Sequence, residues 1–178
     1  MADMFMPMKN VMNSIELLKK IFEDKLYIED KKIDSDGNII SVIHKRNAPL
    51  IITDDVKNSN LYNFLPRQYF ELMSYANGLE LYNYDGIDGL CILGIDDVEK
   101  YTSYAKNTFE DDWDDNILII GKILGEDSYI GYRCSRKIDQ ILDCYFEVLP
   151  EDWEIIDNGL DNFLTRFIVG KGTKFWIE

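Results

Sequence analysis

The chain predicts an α+β domain: a mixed or mostly antiparallel sheet, about four helices packed around it, and a β-hairpin near the N-terminus. Three observations predict this. Apolar residues recur at three- and four-residue spacing near both ends of the chain and twice between them. Between residues 117 and 148, three apolar runs follow one another with only glycine or polar turns between, which is the pattern of an antiparallel meander. Helix and strand patterns do not alternate strictly, as a chain of βαβ units would require.

In chain order, Val11, Ile15, Leu18 and Phe22 share one helical face, widened by Leu17 and Ile21, with Asn10 or Asn13 as cap. Residues 26–33 and 39–45 then read as a hairpin across Asp36-Gly37, and PLIITDD as an extended link. LPRQYFELMSYANG is a second helix with Pro66 in its first position, where a missing N–H has no partner in any case. Asn77-Gly78 ends it. GLCILGI is a short buried strand. Asp96 and Glu99 have capping-box spacing, which predicts a third helix over residues 97–107. The meander follows as ILIIGKI, DSYIGYRC and QILDCYFEV. Leu160, Phe163, Leu164, Phe167 and Ile168 mark a fourth helix, and TKFWIE is expected as a terminal edge strand. The whole is expected to form a single domain over residues 1–178, with the first helix and hairpin in residues 1–60.

The formal net charge is −14. Nucleic acid and anionic membranes are poor partners for such a chain, because both are bound through clustered Lys and Arg. A basic protein surface fits better, since a long-range field steers it in. The three cysteines, Cys91, Cys134 and Cys144, lie among apolar neighbours without a CxxC, and read as buried free thiols of a reducing compartment. No basic n-region with an apolar run opens the chain, and no apolar stretch approaches bilayer length, so a cytoplasmic location is expected.

Catalytic and metal motifs are missing from the sequence. The single histidine, His44, sits beside Lys45 and Arg46 on an expected strand, and reads as a surface or half-buried strand residue rather than a base. No nucleophile elbow, phosphate loop or paired zinc spacing occurs, so no catalytic residue, metal or cofactor is assigned. The densest chemistry is FEDDWDDN, where Glu110, Asp111, Asp112, Asp114 and Asp115 surround Trp113. This segment reads as a solvated loop, as a partner-facing surface, or as an oxygen-ligand cation site. It lacks the alternating ligands and central glycine of an EF-hand loop. As a partner surface, it combines charge with an aromatic anchor in Trp113. Asp85, Asp88, Glu126 and Asp127 join it as partner-binding candidates from loops expected nearby.

Leu65-Pro66 with Tyr69 and Phe70, the Asn77-Gly78 stop, Ile95 to Val98, Ile119-Ile120-Gly121 and Phe163-Leu164 follow one another in an order that resembles the SUKH superfamily, the Smi/Knr-type cell-wall glucan synthesis regulator-like domain. The likeness runs over residues 61–169. It departs at Gly131, near where family members often carry an aspartate, and in a longer N-terminal hairpin. The resemblance implies a non-enzymatic, protein-binding α+β domain. In bacteria such domains are mostly immunity proteins, each neutralising a cognate toxin that is often a nuclease. The partner it implies is a basic toxin domain, bound by a monomer or weak dimer. The alternatives are a regulatory scaffold of the glucan synthesis regulator type, and a small-ligand binder or enzyme.

Overall fold

The computed structural model describes residues 12–134 and 139–177. Within them, eight strands pair in chain order into one open sheet, and every neighbouring pair is antiparallel. The sheet is therefore antiparallel throughout rather than mixed, because each strand turns back beside its predecessor.

Helix α1 (Ser14–Phe22) begins at Asn13, whose side chain accepts the Glu16 N–H at 2.9 Å. Asn10 and Val11 lie outside the described residues. Leu18 and Phe22 are fully buried. Strands β1 (Tyr27–Ile33) and β2 (Ile39–Arg46) pair from Tyr27 opposite Lys45 to Ile33 opposite Ile39. Asp34 closes the turn between them by accepting the N–H groups of Asp36 and Asn38, and Gly37 takes φ +85°. The stretch expected as an extended link, PLIITDD, ends in a short helix, α2 (Asp54–Lys57), and a second, α3 (Asn60–Phe64), follows it, capped by Thr53 and Ser59 respectively. Helix α4 (Arg67–Tyr75) follows with Pro66 as its N-cap, one place earlier than expected. The Tyr69 hydroxyl donates to the Leu93 carbonyl in the core.

Beyond Gly78, at φ +95°, the chain forms β3 (Leu79–Tyr84) and β4 (Asp88–Ile92). The expected second helix stops at Asn77-Gly78 and the next expected element is GLCILGI, so no element was expected at β3. Helix α5 runs over Ile95–Phe109, and Asp96 lies inside it. No side chain of its own caps α5: Gly94 is the N-cap, and the Ile95 N–H donates to Asn77 Oδ1 at 2.9 Å. The expected capping box is thus replaced by an asparagine 18 residues upstream. The meander continues as β5 (Ile117–Ile123), β6 (Ser128–Arg133) and β7 (Gln140–Tyr145), and a further strand, β8 (Glu154–Asp157), extends it. Helix α6 (Leu160–Val169) closes the fold. The chain therefore has six α-helices in the described residues where about four were expected. Among the described residues the terminal segment forms no edge strand: Phe175 and Trp176 pack on Phe163, and Trp176 also on Phe167 of α6.

Both faces of the sheet are covered. α5 lies on one, where Thr102 accepts the Ile119 N–H and Tyr101 meets Tyr129. α1 and α6 lie on the other, where Phe167 meets Tyr82 and the Tyr82 hydroxyl donates to Ile168. β5 is buried from Ile117 to Gly121, which explains its unbroken apolar run. Ser14 ties the two ends of the chain together, its N–H and hydroxyl both donating to Asp161 Oδ1 at 2.9 and 2.6 Å.

Candidate functional site

The acidic segment begins where α5 stops. Glu110 takes φ +48° and its N–H still donates to Lys106, so the helix tightens into a 3-10 turn over Glu110–Asp112. Trp113 leaves that turn half-buried, its ring edge-on to Trp153 at 6.0 Å. The next two acids are engaged within the chain. Asp114 pairs with Arg133 at 3.1 Å and accepts both N–H groups of Asn116 that face it. Asp115 holds Lys106 at 2.6 Å. Glu110, Asp111 and Asp112 are exposed, and no ion pair reaches them among the described residues.

A second turn of the same construction meets the first. Pro150–Asp152 forms a 3-10 turn whose N–H bond back to Pro150 comes from Trp153, just as Trp113 bonds back to Glu110. Trp153 is 5% exposed and packs on Phe109 and Phe146, and its indole N–H donates to the Tyr145 carbonyl. The contact between Trp113 and Trp153 joins the two turns, and each carries exposed acids: Glu110, Asp111 and Asp112 in the first, Glu151 and Asp152 in the second. The sequence carries this signal as a repeated ED-W pattern, EDDW at residues 110–113 and EDW at residues 151–153, of which only the longer copy is among the sequence-predicted candidates.

The remaining candidates divide. β5 carries the chain roughly 20 Å from Asp114 and Asp115 to the β5–β6 turn, so Glu126 and Asp127 stand at the opposite end of the strand. They belong instead with the β7–β8 loop. The Tyr145 hydroxyl is held above its ordinary pKa by hydrogen bonding to Glu147, then by slight burial, and then by the charges of Glu147, Asp127 and Glu126. Glu126 is paired with Lys174. Asp85, exposed at φ +49°, lies in the β3–β4 turn, which touches the β5–β6 turn through Ile87 and Gly125. Asp88 is neutralised by the buried Lys32 at 2.7 Å. The β7–β8 loop is therefore the hub: Trp153, at its end, contacts Trp113 after the turn of Glu110–Asp112, and Tyr145, at its start, lies in the field of Glu126 and Asp127.

Other expectations are corrected. His44 is fully buried, because a bulge in β3 turns the Tyr82 N–H inward and His44 Nδ1 accepts it at 3.3 Å. Burial lowers its pKa, with Asp30 opposing. Of the three cysteines, Cys144 is buried, Cys91 half-buried and Cys134 exposed. Burial pushes the Cys91 thiol up to about 11. Among the described residues, no group of three or more His, Cys, Asp or Glu is arranged to hold a metal ion, and no helix is long and apolar enough to cross a membrane. No protein-family model matches this chain, and no curated protein or solved structure matches it significantly.

Proposed function

We propose that this chain is a protein-binding module of the SUKH type, an immunity protein that neutralises a basic toxin domain through its acidic surface. One observation carries the reading. Two acid-bearing turns, each ending in a tryptophan, are held together by the Trp113–Trp153 contact, and their outer carboxylates lack ion pairs among the described residues. Unpaired like charges gathered on one surface repel one another, and a basic partner relieves that repulsion. A nuclease is basic where it holds phosphate, so dense carboxylates suit that groove. Trp113, half-buried, holds the acids in fixed positions, which lowers the ordering cost on binding. The likeness to the superfamily draws further support from where its motif residues fall. Pro66 caps the start of α4, Gly78 needs its left-handed φ, Ile95 opens α5, and Phe163 and Leu164 fill the core.

The test is capture from the native host with tagged wild-type protein and with an E110K/D111K/D112K variant, at low and high salt. A toxin or nuclease domain should co-purify with the wild type, weaken as salt rises, and be lost with the variant. Capture of wall-synthesis or signalling proteins instead, or equal capture by both proteins, sinks the proposal.

A further inference from the structure

The β7–β8 loop leaves an apolar strip uncovered. Tyr145, Val148 and Ile177 are 41%, 39% and 58% exposed, and they line a groove of about 370 Å³ between this loop and the C-terminal segment. Its floor holds Asp143, whose carboxylate accepts from the Ser128 hydroxyl and from the Trp176 indole N–H at 2.8 Å. Asp152 and Glu154 stand on its rim, exposed. No ion pair reaches these three carboxylates among the described residues, no lysine or arginine lines the groove, and Lys174 of the C-terminal segment is held by Glu126. Exposed apolar surface framed by polar groups is the anatomy of an interface. Here the frame has one sign. Its complement is a side chain with an apolar stem and a cationic head, which is the chemistry of arginine and lysine. A second copy of this chain is a poor occupant, since it would bring a net charge of −14 against itself.

We propose that this groove seats a basic segment of a protein partner, with an arginine or lysine against Asp143, Asp152 and Glu154 and an adjoining apolar side chain on Tyr145, Val148 and Ile177. The proposal rests on the reading of the chain as a protein-binding module, and adds where the partner's anchor sits and what it is made of.

Three fluorescent peptides of equal length test it: alternating Arg and Leu, alternating Arg and Gly, and alternating Glu and Leu. The Arg–Leu peptide should bind at least tenfold more tightly than the Arg–Gly peptide, and the Glu–Leu peptide should not bind. Charge reversal in the groove (D152K/E154K) should weaken the Arg–Leu peptide tenfold or more. The apolar variant V148S/I177S should abolish the preference for Arg–Leu over Arg–Gly. The E110K/D111K/D112K variant, outside the groove, should change Arg–Leu binding less than threefold. All variants are on the surface, and unchanged thermal midpoints establish that each folds. Equal binding of the two arginine peptides, or equal loss in the two charge-reversal variants, overturns the proposal by reducing it to long-range attraction. A concentration-dependent dimer lost in V148S/I177S overturns it too, since the occupant is then a second copy. A toxin captured equally by wild type and D152K/E154K rejects the groove while leaving the immunity reading standing. Selective peptide binding supports the groove whether or not a toxin is captured.

Discussion

His44 Nδ1 accepts the Tyr82 N–H at 3.3 Å, and its Nε2 has no hydrogen-bond partner among the described residues, lying 3.6 Å from Asp30 Oδ2. The ring is wedged edge-on against Tyr82 and Phe22. Accepting at Nδ1 fixes the neutral tautomer with the proton on Nε2. Because burial lowers its folded pKa below the ordinary 6.5, the unfolded chain takes up a proton first as pH falls. The stability His44 contributes is therefore present above about pH 6.5, and falls below it by at most about 1.4 kcal/mol per pH unit until the folded pKa is reached. The other charged group facing the ring, Asp30, opposes the shift and so narrows this window. His44→Leu should flatten urea-derived stability between pH 7 and 5 relative to wild type. It should also lower stability at pH 7.5 by about 1–3 kcal/mol, from the orphaned Tyr82 N–H. An unchanged pH slope would reject the assignment. None of this was legible in the sequence. The basic neighbours Lys45 and Arg46 argued for a surface position, and the decisive feature, a bulge two strands wide, depends on pairing rather than on composition.

Elements with a long period were legible, and short ones were not. α1, α4, α5 and α6 each present several apolar residues on one face, and the strands of the meander are bounded by glycine or polar turns. β8 has four residues, and α2 and α3 have four and five, too few for a period to emerge. Their signals were the caps Thr53 and Ser59, which are common in loops as well. The start of α5 misled for a different reason. Asp96 and Glu99 have the right spacing for a capping box, but Asn77 already occupies the first free N–H of the helix. Asn77 also offers its carbonyl to the Asn47 side chain at 2.9 Å, so it joins the β2–α2 link, the end of α4 and the start of α5. Asn77→Ala should cost about 1–2 kcal/mol in chemical denaturation, the upper part of the range for a lost cap. Asp96→Ala should cost only a few tenths, through the helix dipole. The reverse order of these two costs would restore the capping box.

At the scale of the whole molecule, charge sets stability against binding. A net charge of −14 repels itself, and among the described residues most of the acids on the β7–β8 hub and the turn of Glu110–Asp112 lack the ion pairs that quiet Asp88, Asp114 and Asp115. The density of acids in FEDDWDDN was visible in the sequence, but its division was not: two of its carboxylates serve the fold and three do not, and only the packing of Arg133 and Lys106 separates them. If the three remaining acids serve a partner, they are held at a cost in stability, as functional sites commonly are. Reversing Glu110, Asp111 and Asp112 to lysine should then raise the thermal midpoint by a few degrees at low salt, with the gain shrinking toward zero in about 0.5 M salt as screening removes the repulsion. The same variant should lose the basic partner. Wild-type protein should likewise gain stability as salt is added, and lose partner affinity over the same range. A variant that is destabilised at low salt would mean that these acids are bonded within the fold, and the surface they form would then have no repulsion for a partner to relieve.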